Sequence, residues 1–272
     1  MNQSLLKIID LTVTYNTGSV KKKPILKNFS LEIFQDEILA IIGESGCGKT
    51  TLAMTILSLL FPPAAIEGGK IYFNGQDLLS LRPKQHRKIR WNDIAIIFQE
   101  PNSVFDPLRR IGPQIAEVLC LHKGLNKKAA KARTLELLAS VNLTHIKMLF
   151  SAYPHKLSTG MLQRTMIAMA VACQPCLIIA DEPTSALDKD NQQIILDLIL
   201  QKKKEMKQSL LLISHDIQLV AESADRIAIM HDGRIVEIGE KLNVLANPQH
   251  HQTQLLLRAS DRFASNSSPH PS

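Results

Sequence analysis

The stretch Gly43-Glu44-Ser45-Gly46-Cys47-Gly48-Lys49-Thr50-Thr51 decides how this chain is read. It fits the phosphate-loop pattern G-x-x-x-x-G-K-[ST] at every position. Ahead of it, Ile38-Leu39-Ala40-Ile41-Ile42 is an all-apolar run suited to a strand buried on both faces. Behind it, Thr50 to Leu60 reads as an apolar helix ended by Pro62 and Pro63. Strand, loop and helix form the context that the pattern requires. The glycines let backbone N–H groups turn inward around an anion, and the helix N-terminus adds about half an elementary positive charge. In that setting Lys49 reaches the β- and γ-phosphates, and the Thr50 hydroxyl ligates Mg²⁺.

The rest of the composition bounds what such a loop serves. The chain has 272 residues, of which 45% are hydrophobic and 21% charged, a globular balance long enough to bury a large core. Aromatics make up only 4%, too few for a base-stacking surface, so no nucleic-acid partner is expected. The net charge of +7 is spread out. Lys21-Lys22-Lys23 falls at a predicted hairpin tip, Arg82 to Arg90 is a basic segment without aromatics until Trp91, and Lys202-Lys203-Lys204 ends a predicted helix. Solvated faces and termini are the main reading of these cations, with anionic lipid headgroups the alternative. No leader or bilayer-spanning stretch is read, which points to the cytosol. The four cysteines agree with a reducing compartment, and Cys173-Gln174-Pro175-Cys176, just ahead of a buried strand, is read as core packing.

Along the chain, Lys7 to Val13 and Ile25 to Ile33 form a predicted antiparallel pair. Tyr15, just beyond the first, either stacks on a nucleotide base or is an ordinary half-buried tyrosine at a strand end. Ile71-Tyr72-Phe73 with Asn74-Gly75 is a further strand and turn. Asp93 to Phe98 is a strand that delivers Gln99 at the end where ligands of α/β sheets gather. From Glu100 to Lys156 strand signals vanish, and helices near 114–121 and 126–140 mark an inserted helical subdomain. Leu157-Ser158-Thr159-Gly160 then opens a helix to about Ala172, either as a second anion site or as a plain cap.

Leu177 to Ala180 is a buried strand ending in Asp181 and Glu182. Asp181 is placed to hold Mg²⁺ and Glu182 to accept a proton from attacking water, although paired acids at a strand end also cap helices. Ser185-Ala186-Leu187-Asp188 leads into an amphipathic helix with Ile194, Ile195, Leu198 and Ile199 on its apolar side. Leu210 to Ser214 is a buried strand delivering His215, which either contacts the γ-phosphate, holds Glu182 in place, or is simply structural. Ile227 to Ile238 makes a final hairpin around Asp232-Gly233. The Ser- and Pro-rich residues 259–272 read as a disordered tail.

In this order the motifs resemble the nucleotide-binding subunit of an ATP-binding cassette (ABC) transporter, over about residues 5 to 258. They are the phosphate loop, the Q-loop at Gln99, the signature at Leu157 to Met161, the Asp181-Glu182 pair, the D-loop at Ser185 to Asp188 and the switch His215. The resemblance implies an α/β fold. It consists of a P-loop NTPase (RecA-like) core with an N-terminal antiparallel β subdomain and an inserted helical subdomain at about 100–165, all in one nucleotide-binding domain, 1–258.

The resemblance also implies ATP and Mg²⁺, with Gly43 to Thr51, Ser158, Gly160, Asp188 and Tyr15 on the nucleotide. Thr50, Gln99 and Asp181 serve the metal, and Lys49, Gln99, Glu182 and His215 the hydrolysis. Two such domains close head to tail over ATP, and the closure drives membrane permease subunits fed by a solute-binding protein, at the cytoplasmic face of the cell membrane.

Phe98 to Leu108 and Gly160-Met161-Leu162-Gln163-Arg164 are similar to the peptide and nickel importer group, and the second run is closest to its nickel branch. The lack of a cysteine-bearing extension leans the same way. Nickel or a related metal chelate is therefore the expected cargo, with peptides the alternative and a non-transport ATPase on nucleic acid a weaker one. Thr159 stands where the usual signature has glycine, and its β-branched side chain restricts backbone approach to phosphate. Met161 replaces the commoner glutamine. A weakened composite site, in a heterodimer with a second ATPase subunit, is the expectation.

Overall fold

A computed structural model describes residues 3–16 and 22–266. In chain order the strands and helices are β1 (Ser4–Tyr15), β2 (Lys23–Phe34), β3 (Ile38–Gly43), α1 (Lys49–Ile56), β4 (Ala64–Phe73), β5 (Gln76–Asp77), α2 (Pro83–Ile89) and β6 (Ile94–Ile97). Then come α3 (Ile111–Lys123), α4 (Lys127–Ala139), α5 (Ile146–Ser151), α6 (Thr159–Val171), β7 (Leu177–Asp181), α7 (Lys189–Met206) and β8 (Ser209–Ser214). The chain ends with α8 (Ile217–Ser223), β9 (Arg226–His231), β10 (Arg234–Glu240), α9 (Lys241–Ala246) and α10 (His251–Asn266). These elements fall into two compact units, one of residues 1–81 and 211–272, the other of residues 82–210. Among the described residues no helix is long and apolar enough to cross a membrane.

The first unit holds an antiparallel sheet in the order β2-β1-β4-β5. Its register sets Ile8 opposite both Leu31 and Ile71, and Leu6, Ile8, Leu11, Val13, Phe29 and Ile71 are fully enclosed. Apolar and polar residues alternate along these strands because only one face packs. The turn Asn74-Gly75 has positive φ at both positions, the geometry a two-residue hairpin of this hand needs. Asp232-Gly233 repeats it between β9 and β10. In the same unit lie β10, β9, β3 and β8 from Leu211 on, with β3 parallel to β9. Strand β3 is buried from Leu39 to Gly43, as an all-apolar central strand must be.

In the second unit β6 runs parallel to β7, with Ile97 opposite Ala180. Helices α3, α4, α5 and α6 pack on one another and form the inserted helical part. Asn126 caps α4 by accepting from the Ala129 N–H. Helix α5 carried no clear sequence signal, being one short turn-rich segment whose entry residue His145 is left-handed.

Several expectations change in the structure. Helix α1 stops at Ile56, short of the prolines, because Ser58 turns into the left-handed region. On α7, Ile194 is 44% exposed and Leu196 is buried with Ile195, Leu198 and Ile199, so the packed stripe is rotated from the one read. Lys202 and Lys203, expected on a solvated helix end, are buried, and the Lys202 ammonium pairs with Glu205 at 2.8 Å. Cys173 packs in the core as read, whereas Cys176 is exposed. The Lys21 end of the basic hairpin lies outside the described residues, while Lys22 pairs with Glu67 at 2.8 Å. Helix α10 carries the chain to Asn266, into the stretch expected as a tail, and residues 267–272 lie outside the described residues.

Candidate functional site

The phosphate loop is built from inside the first unit. Gly43 ends β3 opposite Met230, and a Cβ there would collide with the Met230 carbonyl and meet the Cys47 sulfur at 2.8 Å. Gly48 has φ 110° and would place a Cβ 3.1 Å from the Ile25 carbonyl oxygen. Both positions therefore exclude any larger residue. Gly48 stands at the N-cap of α1, where no side chain caps the helix and no acidic residue lies in the first turn. A helix N-terminus built in this way suits an anion. Lys49 is 5% exposed, and its ammonium donates to the carbonyls of Gly43 and Glu44 at 2.7 and 2.9 Å, folding its stem under the loop. Cys47 closes the loop by donating its N–H to the Glu44 carbonyl, and burial pushes its thiol up, although Lys49 counteracts this. Glu44, Ser45, Gly46 and Thr50 are exposed and Thr51 half-buried along the outer side.

His215 follows β8 in the same unit, in a sheet where β8 neighbours β3, and its ring is exposed. Asp216, just after it, accepts from the Gln218 N–H at 2.8 Å and starts α8. Tyr15 is half-buried at the end of β1, opposite Lys23 and Ala64.

The second unit gathers the acidic residues. Since β6 and β7 are parallel and in register, Gln99, two residues past Ile97, and Asp181, one past Ala180, leave the same end of the sheet. Asp181 is buried at 3% exposure and Gln99 is exposed. Glu182 is half-buried with φ 47°, a left-handed conformation that costs a non-glycine residue about 1–3 kcal/mol. A turn holds it, the Glu182 carbonyl accepting from the Ser185 N–H at 3.3 Å and the Ser185 hydroxyl at 3.1 Å. Asp188 caps α7 by accepting from the Asn191 N–H at 3.0 Å. Ser158 caps α6, its hydroxyl accepting from the Met161 N–H at 3.3 Å, so the capping reading of this motif is realised. Ser158 and Thr159 are exposed, and a Cβ on Gly160 would meet nothing within 4 Å.

Two supports were not visible in the sequence. Gln163, buried on α6, donates its amide to the Pro183 carbonyl at 2.6 Å, tying that helix to the residue after Glu182. Gln192 donates to the carbonyls of Thr184 and Leu187 at 3.3 and 3.2 Å, bracing the segment between Glu182 and Asp188. A glutamine on the packed side of an apolar helix was the available signal. The donors among these residues suit a triphosphate with Mg²⁺. In the first unit the α1 N-terminus and the Lys49 ammonium have the chemistry that phosphate takes, and Thr50 offers a hydroxyl oxygen; in the second unit Asp181 and Gln99 offer hard oxygens of the kind Mg²⁺ takes.

Residues 26–185 match the ABC transporter family. Over 96% of its length the chain is 43% identical to the dipeptide transport ATP-binding protein DppD of Haemophilus influenzae, covering 79% of that protein. It is 40% identical to the oligopeptide transport ATP-binding protein OppD of Bacillus subtilis, over 93% of this chain and 71% of that one. Among solved structures, an ATP-binding cassette in a dimeric, post-hydrolysis state with ADP and phosphate is similar at a TM-score of 0.77 and 28% identity, covering 87% of this chain and 99% of that one. A Clostridium perfringens component of an ABC transporter complex shares the fold, with a TM-score of 0.74 at 24% identity over 97% of this chain and 99% of that one.

Proposed function

This chain belongs to the ABC transporter family, and on that premise we propose that it is the ATP-hydrolysing subunit of a peptide importer. The observation that supports ATP handling is the α1 N-terminus, which no side chain caps, behind a loop with Gly43 and Gly48 closely packed and Lys49 buried. The cargo rests on the relatives, which are named for dipeptide and oligopeptide transport. Those names favour peptides over the nickel expected from Gly160 to Arg164.

In this reading ATP is the substrate and its γ-phosphate is attacked in line by water. The loop N–H groups and Lys49 stabilise charge on the phosphate oxygens, and His215 does so at the γ-phosphate. Glu182, presented by its strained turn, accepts the proton of the attacking water. Thr50, Asp181 and Gln99 would hold Mg²⁺, which would supply positive charge against the developing phosphate charge. Tyr15 stacks on the base, and Asp188 contributes from the head of α7. The exposed Ser158 and the half-buried Gly160 at the head of α6 face the phosphate loop of a second ATPase subunit, with Thr159 weakening that contact in a heterodimer. The assembly is peripheral, on the cytoplasmic face of the membrane, with permease subunits and a solute-binding protein as partners.

The test is uptake of a labelled dipeptide and of labelled nickel by cells carrying the native chain or Lys49→Ala. Loss of dipeptide uptake alone supports the proposal. Loss of nickel uptake alone overturns the cargo, and unchanged uptake of both overturns the transport reading for these substrates.

A further inference from the structure

A cavity of about 350 Å³ opens on the second unit, lined by Arg87, Lys88, Arg90, Trp91, Leu121 and His122. ATP handling uses none of these residues. Part of the charge has a local cause, since His86, Arg87 and Lys88 occupy the last turn of α2, where cations suit the helix dipole. Two observations exceed what a solvated basic face requires.

The first is the Arg90 Nε, which is buried with no hydrogen-bond partner. A guanidinium donor removed from water is costly unless it meets an acceptor, and its fork matches carboxylate or phosphate. Burial, and then the charge of Arg87, hold Arg90 below its ordinary range, as expected of a cation lacking a counter-charge.

The second is Trp91, whose φ of 65° is unfavourable for a bulky residue. The turn is pinned by the Trp91 N–H donating to the Ile94 carbonyl and the Asp93 N–H to the Ile89 carbonyl, both at 2.8 Å. This strained turn sets the chain's single tryptophan on the wall of a cationic cavity, with Leu121 at its rim 73% exposed. The lining residues include no carboxylate. The nearby Asp93 is engaged by Asn92, and its charge acts on His122 and Lys123.

We propose that this cavity binds a phosphoryl oxyanion, to whose oxygens the Arg90 and Arg87 guanidinium groups donate while the Trp91 indole flanks the group that carries it. A phosphate supplies a counter-charge to Arg90, and the guanidinium fork gives the planar match. An indole and an exposed leucine beside several cations are also the mixture that meets a membrane interface, so a phospholipid headgroup is one source and a free phosphate the other.

Because Trp91 is the only tryptophan, its fluorescence reports on this cavity. The full chain carrying Lys49→Ala, which disables the phosphate loop, is titrated with inorganic phosphate, with phosphatidylcholine vesicles, and with vesicles that also contain phosphatidylglycerol. A saturable change with phosphate or with the phosphatidylglycerol vesicles is expected, weakened about tenfold or more by Arg90→Gln. Arg87→Gln, on an exposed side chain, gives a loss in the same direction if Arg90→Gln does not fold. Response to the anionic vesicles alone identifies a headgroup as the source, and response to inorganic phosphate identifies a free one. No response to either, or a response that both substitutions leave unchanged, overturns the proposal.

Discussion

Helices α1 and α6 both open on a glycine-bearing turn, and the two openings are built in opposite ways. At α1 the glycines are forced: Gly43 backs onto the Met230 carbonyl, Gly48 is left-handed beside Ile25, and no side chain caps the helix. At α6 the chain caps itself through Ser158, and Gly160 has open space around it. The first opening is shaped by the packing of its own unit. The second needs no glycine for its own fold, so what Gly160 does is read from what approaches it.

The largest expected effect concerns the chemistry assigned to the phosphate site. Glu182→Gln keeps ATP binding and lowers turnover by about 10²-fold or more, as nucleotide binding and steady-state ATPase assays of the assembled complex will show. Parental turnover would remove Glu182 from the role of base. Next, Gly43→Ala costs about 2–3 kcal/mol by forcing a methyl group against the Met230 backbone, whereas Gly160→Ala costs nothing and gains up to about 1 kcal/mol of helix propensity. Urea unfolding of both variants measures the difference, and equal losses would erase the contrast between the two openings. If Gly160→Ala lowers the ATPase rate of the complex while leaving the isolated chain as stable, the opening of α6 serves a partner. Thr159→Gly tests the same surface, with a raised rate expected. Ser158→Ala removes a cap and costs about 1 kcal/mol.

Helix α10 offers a third kind of opening, closed by a carboxylate from elsewhere in its unit. Glu237 accepts from the N–H groups of Gln249 and His250 and from the Thr253 hydroxyl. Burial pushes its carboxyl up, and the donors from Gln249, Thr253 and His250 outweigh that, leaving its pKa below the ordinary value. A depressed pKa means that the stabilisation is present above the unfolded carboxylate value and is lost as pH falls through the folded one. Glu237→Gln is therefore expected to cost about 1 kcal/mol near neutral pH and to converge with the parent in acid. Thermal unfolding across pH will show whether the two curves merge.

The sequence legibly marked elements in which local chemistry and packing agree. Strand β3 could be read because a strand buried on both faces is apolar throughout, and the two hairpin turns because Asn-Gly and Asp-Gly tolerate positive φ. Asn126 and Ser158 marked helix starts by side chains that accept from the first turn. Other features depended on neighbours distant in the chain. The exposed side of α7 included Ile194 because the covered stripe runs through Leu196, and periodicity cannot say which of two adjacent apolar residues is covered. Lys202 and Cys176 were misplaced for the same reason, burial being a property of the surroundings.

The sequence by itself determined that this chain carries the phosphate-loop pattern after a buried strand, followed by Ser158-Thr159-Gly160, Asp181-Glu182 and His215 in an order that resembles an ABC cassette. Those are short patterns whose chemistry is set by residue type and spacing. The tertiary structure alone decided that Met230 and Ile25 crowd out side chains at Gly43 and Gly48, that Gln163 and Gln192 brace the segment after Glu182, and that the Arg90 Nε is buried beside a strained Trp91. Each of these depends on backbone or side chains brought together by folding, which no local pattern encodes.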